Sequence, residues 1–90
     1  MSTVYRRSPK IEASAMKAES LLFDPATNKF CLLNETAALV WERLDQPSTA
    51  DQLASAVCEC FSGVARAQAE NDVNVLLRRL ESLAFVVVVD

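Results

Sequence analysis

The segment NKFCLLNETAALVWERL, Asn28 to Leu44, changes its hydrophobic period at a single polar residue. Up to Leu33 it alternates: Phe30 and Leu32 share one face of an extended strand, and Cys31 and Leu33 share the other. Both faces are apolar, so both are expected to be covered. Asn34 then offers the side-chain acceptor that a helix N-terminus needs, and Glu35 falls in the first turn, where the helix dipole favours negative charge. Beyond it, Ala38, Leu39, Val40, Trp41 and Leu44 recur at spacings of three and four, and the pattern stops before Asp45-Gln46-Pro47. A strand that passes through one cap residue into an amphipathic helix points to an α+β chain.

The flanking sequence extends this pattern in both directions. Ile11 to Met16 and Ser20 to Phe23 read as two strands, and Asp24-Pro25-Ala26-Thr27-Asn28 is a turn-forming pentad that joins the second of them to Lys29–Leu33. Together they predict a three-stranded antiparallel meander. Thr49-Ala50-Asp51-Gln52 has the form of a capping box and opens a second helix through Leu53 and Val57 to Cys60 and Phe61, with Gly63 as a left-handed stop. A third, longer helix is predicted from about Ala67 to Leu83 by Ala69, Val73, Leu76, Leu77 and Leu80. The run Phe85-Val86-Val87-Val88-Val89 is β-branched and predicts a C-terminal strand. Residues 1–9, polar and ended by Pro9, read as a flexible N-terminal tail before a domain over residues 10–90.

The chain has 90 residues, enough for one small core, since domains of this size bury only about 60% of their unfolded surface. A net charge of −3 disfavours polyanionic partners on average. Neither a signal-peptide pattern nor an apolar run long enough to cross a bilayer is present, so the chain reads as cytoplasmic, with no membrane partner. The three cysteines leave an odd thiol in any pairing scheme and read as reduced, small hydrophobes.

Catalytic equipment is sparse. The chain has no histidine, and its single glycine rules out a phosphate-binding loop. Cys58-Glu59-Cys60 lacks the spacing of zinc or dithiol sites. Asp45, Asp51, Glu59, Glu70 and Asp72 fall on polar helix faces and read as solvated surface. No cofactor or metal is expected, and enzyme activity is not.

Two classes of binding remain. Three short helices with β elements make a winged-helix outline, but the second helix carries no cation, and the third sets Arg66, Arg78 and Arg79 against Glu70, Asp72 and Glu81; DNA binding is disfavoured. The other class is peptide capture by strand addition. If the meander forms, its last strand lies at an edge whose N–H and C=O groups an extended peptide could complete beside the third helix. The alternatives on pattern alone are that this edge is covered by the N-terminal tail or the C-terminal valines, or that it pairs with a second copy as a structural dimerisation module.

Leu21-Leu22-Phe23-Asp24, Phe30, the run Leu32-Leu33-Asn34-Glu35-Thr36-Ala37-Ala38-Leu39-Val40-Trp41-Glu42, Ser48-Thr49 with Leu53, Asp72-Val73, Leu76-Leu77, Leu80 and Leu83 together resemble the coenzyme PQQ synthesis protein D (PqqD) family. The resemblance covers about residues 9–87. Two positions depart from the family pattern: Ala37 stands where the family often has Gly, and Ala84 replaces the Gly that commonly follows the third helix. The resemblance implies a winged-helix-like recognition element of natural-product biosynthesis. Such a domain binds the leader of a ribosomally made precursor peptide and presents it, without turnover, to a radical-SAM protein, cyclase or protease. It further implies that the leader pairs with the strand Lys29, Phe30, Cys31, Leu32 and Leu33 and packs against Asp72, Leu76, Arg79 and Leu83; Arg79 then reads either as the partner of a leader carboxylate or as a solvated side chain, and Leu76 and Leu83 either as groove or as core. A homodimer through the exposed edge or the Val86–Val89 strand is the further alternative.

Overall fold

A computed structural model describes residues 3–16 and 19–89. Among these described residues nine elements follow in order: β1 (Val4–Arg7), β2 (Glu12–Met16), β3 (Glu19–Asp24), β4 (Lys29–Leu33), α1 (Glu35–Arg43), β5 (Ser48–Thr49), α2 (Ala50–Cys60), α3 (Arg66–Ser82) and β6 (Val86–Val89). The strands form two antiparallel sheets, β2-β3-β4 and β5-β1-β6. The architecture is α+β and winged-helix-like, with the expected meander, three helices and C-terminal strand.

The meander turns where Asp24 accepts the Ala26 N–H on its Oδ1 at 2.9 Å and Asn28 takes a φ of +60°. Asparagine tolerates that left-handed region better than most residues. Its register pairs Leu22 with Cys31 and Ser20 with Leu33, which sends Leu22, Cys31 and Leu33 into the core. Asn34 then caps α1, its Oδ1 accepting the Ala37 N–H at 2.9 Å. Helix α2 starts from the full capping box, with Thr49 Oγ1 accepting from the Gln52 N–H and Gln52 Oε1 accepting from the Thr49 N–H. Gly63 lies at a φ of +81° just beyond α2.

The core gathers Val40, Trp41 and Leu44 of the α1 end, Leu53, Ala54 and Val57 of α2, Ala69, Val73, Leu77 and Leu80 of α3, and Phe85 with Val86. Phe85 and Leu80 are each 0% exposed. Cys31 contributes to this core, Cys58 is half-buried and Cys60 is exposed, and all three thiols are free. Among the described residues no helix is long and apolar enough to cross a membrane.

Two expectations are corrected. Residues 4–7, read as part of a flexible tail, form β1, the central strand of its sheet: Val4 to Arg7 pair with Val89 to Val86, and Val4 and Tyr5 with Thr49 and Ser48. The Arg7 N–H donates to the Leu44 carbonyl at 3.0 Å, the Ser8 N–H to the Phe85 carbonyl at 2.9 Å, and the Arg7 guanidinium to the Trp41 carbonyl at 3.3 Å. A four-residue strand with two arginines shows no periodicity of its own, because its partners lie more than 40 residues away in the chain. The second correction concerns β4. Its inner face is buried, but its outer face is open, with Phe30 64% and Leu32 49% exposed.

Candidate functional site

Strand β4 is the edge of the meander. Among the described residues it pairs only with β3, so alternate residues of β4 turn their N–H and C=O groups outward, without a strand partner. Among the described residues, neither Val4–Arg7 nor the C-terminal valines close this edge: β1 and β6 pair with each other in the other sheet.

Beside that edge runs a groove of about 390 Å³, lined on one side by Leu32, Leu33, Asn34, Thr36, Ala37 and Val40, and on the other by Asn71, Asp72, Val73, Val75, Leu76 and Arg79 of α3. The sequence explains why α3 can serve two surfaces. At roughly 100° per residue, Ala69, Val73, Leu77 and Leu80 form the buried stripe, while Asn71, Val75, Arg79, Asp72 and Leu76 fan over the adjoining flank. Leu76 is half-buried and packs on the core margin, and Val75 is 55% exposed although it is a large apolar side chain.

Of the nine residues singled out from the sequence, five line the groove: Leu32, Leu33, Asp72, Leu76 and Arg79. Cys31 and Leu33 point into the core, so what they can offer a partner strand is backbone. Lys29 and Phe30 are exposed on β4 but do not line the groove, and Leu83 is a half-buried residue packed on the core past the end of α3. The reading from sequence passed over Asn34, Thr36, Ala37, Val40, Asn71, Val73 and Val75 as site residues. Val75 carried a signal: it lies off the buried stripe of α3, where an apolar side chain has no core to enter.

The charges in the groove are unoccupied. Arg66, at the start of α3, binds Asp51 at 2.6 Å and Glu70 at 3.4 Å, whereas among the described residues neither Asp72 nor Arg79 has an ion pair or a side-chain hydrogen bond. No polar or charged side chain among the described residues is buried, and no three Cys, Asp or Glu side chains gather in a way that would hold a metal.

An open strand edge flanked by a half-apolar helix wall defines a small winged-helix-like domain with a groove along its sheet edge. The family model for coenzyme PQQ synthesis protein D (PqqD) matches residues 19–86, and this chain belongs to that family. Two solved structures share the fold. One, described as "TbiB1 in Complex with the TbiA(beta) Leader Peptide", is 21% identical with a TM-score of 0.76, over 90% of this chain and 93% of that one. The other, "Lasso peptide synthetase B1 complexed with the leader peptide", is 25% identical with a TM-score of 0.76, over 92% of this chain and 96% of that one. No curated protein matches the chain in sequence.

Proposed function

We propose that this protein is a non-catalytic adaptor. It binds the leader segment of a ribosomally made precursor peptide as an added strand on the outer edge of β4 and presents it to a modifying enzyme. The observation that carries this reading is the unpaired β4 edge lying directly against the α3 groove. Family membership supports it, as do two fold neighbours whose descriptions each name a bound leader peptide.

The physics favours an extended guest. Outward N–H and C=O groups on β4 give backbone hydrogen bonds irrespective of sequence, and the groove beside Leu76 and Val75 selects side chains. A leader free in solution loses conformational entropy on binding, which limits one short strand with a few pockets to about micromolar affinity, near −8 kcal/mol. That strength suits reversible capture in the cytoplasm and hand-over to a radical-SAM protein, cyclase or protease.

The test is a titration of the ¹⁵N-labelled protein with the leader peptides of candidate precursors. Amide shifts concentrated in residues 29–34 and 71–79 are the expected result. Saturable shifts confined to the β5-β1-β6 sheet would move the site elsewhere, and no shifts with any leader would refute the adaptor reading.

A further inference from the structure

The groove wall carries an ordered set of three side chains, a half-buried leucine on the core margin between two charges that no other described side chain pairs. Asp72, Leu76 and Arg79 lie on one flank of α3 and line the groove, the two charges unpaired among the described residues. Seven residues separate Asp72 from Arg79, about 10.5 Å along the helix, too far for the two to neutralise each other in a salt bridge. Leu76 stands between them, roughly 6 Å from one and 4.5 Å from the other along the axis.

An extended strand presents every second side chain to the same side, about 6.8 Å apart, so positions k, k+2 and k+4 span about 13 Å. For a guest strand that runs alongside α3, the flexible ends of an Asp–Lys and an Arg–Glu pair cover the remaining 2–3 Å. A strand added beside β4 would turn k, k+2 and k+4 toward α3. Its intervening residues, k+1 and k+3, would lie on the outer face of the sheet, flanking Phe30 and Leu32, which stand 64% and 49% exposed there.

Resting on the strand-addition reading above, we infer that the bound segment carries two opposite charges four residues apart. Its cation faces Asp72, its anion faces Arg79, and the residue midway, against Leu76, is apolar, as are the two that flank Phe30 and Leu32. The groove thus reads an order of charges as well as a hydrophobic pattern. Antiparallel pairing is the more stable per residue, so the groove favours one of the two possible orders along the peptide.

Three fluorescein-labelled peptides test this by anisotropy: one with the core Thr-Lys-Val-Leu-Val-Glu-Thr, one with Lys and Glu exchanged, and one with Gln at both positions. One charged order is expected to bind about tenfold more tightly than the Gln peptide at low salt, an advantage that shrinks as salt rises. The doubly substituted protein Asp72→Lys with Arg79→Glu, both changes at exposed sites, is expected to fold normally and prefer the other order. Binding of all three peptides within twofold, or an unchanged preference in the double variant, overturns the charge order but leaves strand addition standing. If none of the three binds while natural leaders shift residues 29–34, the side-chain pattern is wrong; if natural leaders fail as well, both readings fall.

Discussion

The Phe85 N–H donates to the Leu80 carbonyl across 2.8 Å, and both side chains are fully buried. With the Ala84 N–H donating to the Glu81 carbonyl at 3.0 Å, this is the paired hydrogen-bond pattern that closes a helix by a left-handed residue, and that residue is Ala84, at a φ of +62°. The contact fixes the angle at which the chain leaves α3 and enters β6.

An alanine in that conformation carries a Cβ penalty of about 1–2 kcal/mol, partly offset because glycine loses more freedom on folding. Ala84→Gly is therefore expected to stabilise the protein by about 0.5–1 kcal/mol, a rise of a few degrees in Tm. Gly63→Ala should do the reverse by a similar amount: a Cβ there meets nothing within 4 Å, so no steric clash adds to the balance between the strain of φ +81° and the freedom lost by glycine. Thermal unfolding of the two variants checks the signs, and shifts in the same direction would contradict the backbone argument.

Strand β1 ties its sheet to the C-terminal end of α1, because Arg7 reaches the Leu44 and Trp41 carbonyls and stacks 5.7 Å from the centre of the Trp41 ring. Removing residues 1–9 takes out the central strand and several backbone hydrogen bonds worth about 1 kcal/mol each, so a loss above about 3 kcal/mol is expected in urea unfolding. Arg7→Ala removes the carbonyl donor and the stacking alone and should cost about 1 kcal/mol. A truncated chain as stable as the full one would restore the view of this segment as a tail.

The order of elements was legible where local chemistry decides: the period change at Asn34, the Thr49 capping box and the turn ending in Asn28 each occupy a few consecutive residues. What escaped depends on distant partners. Val4–Arg7 become a strand only because Val86–Val89 and Ser48–Thr49 lie on either side. The openness of Phe30 and Leu32 was hidden for a related reason, since an apolar strand face reads alike whether a helix covers it or nothing does. The groove lay between these cases. Asp72, Leu76 and Arg79 could be placed on one flank of α3 by counting, but Asn71 and Val75 join them only once the helix is docked beside β4.

Asn34 ends the strand and starts the helix with one side chain, accepting the Ala37 N–H at 2.9 Å. Asn34→Ala leaves that donor without its partner and is expected to cost about 1 kcal/mol, while Asn34→Asp keeps the acceptor and adds a charge favourable to the helix dipole. Chemical denaturation should rank wild type and Asp close together and Ala below both. Equal stability of all three would mean that water replaces the cap without loss.

Neighbouring leucines on β4 separate binding from folding. Leu33 is 1% exposed, so Leu33→Asp places an unpaired carboxylate in the core, at a cost of several kcal/mol that is expected to leave the chain largely unfolded by circular dichroism. Leu32 is 49% exposed beside the groove, and Leu32→Asp should change stability by no more than about 1 kcal/mol. Its effect is expected on the guest: a carboxylate on the strand that pairs with the leader removes an apolar cross-strand neighbour and places a charge against it, weakening leader affinity by about tenfold or more. Calorimetric titration of the folded Leu32→Asp protein decides the matter. Undiminished affinity in a folded variant would show that the leader does not run along β4, because no extended chain can take that edge without lying beside Leu32.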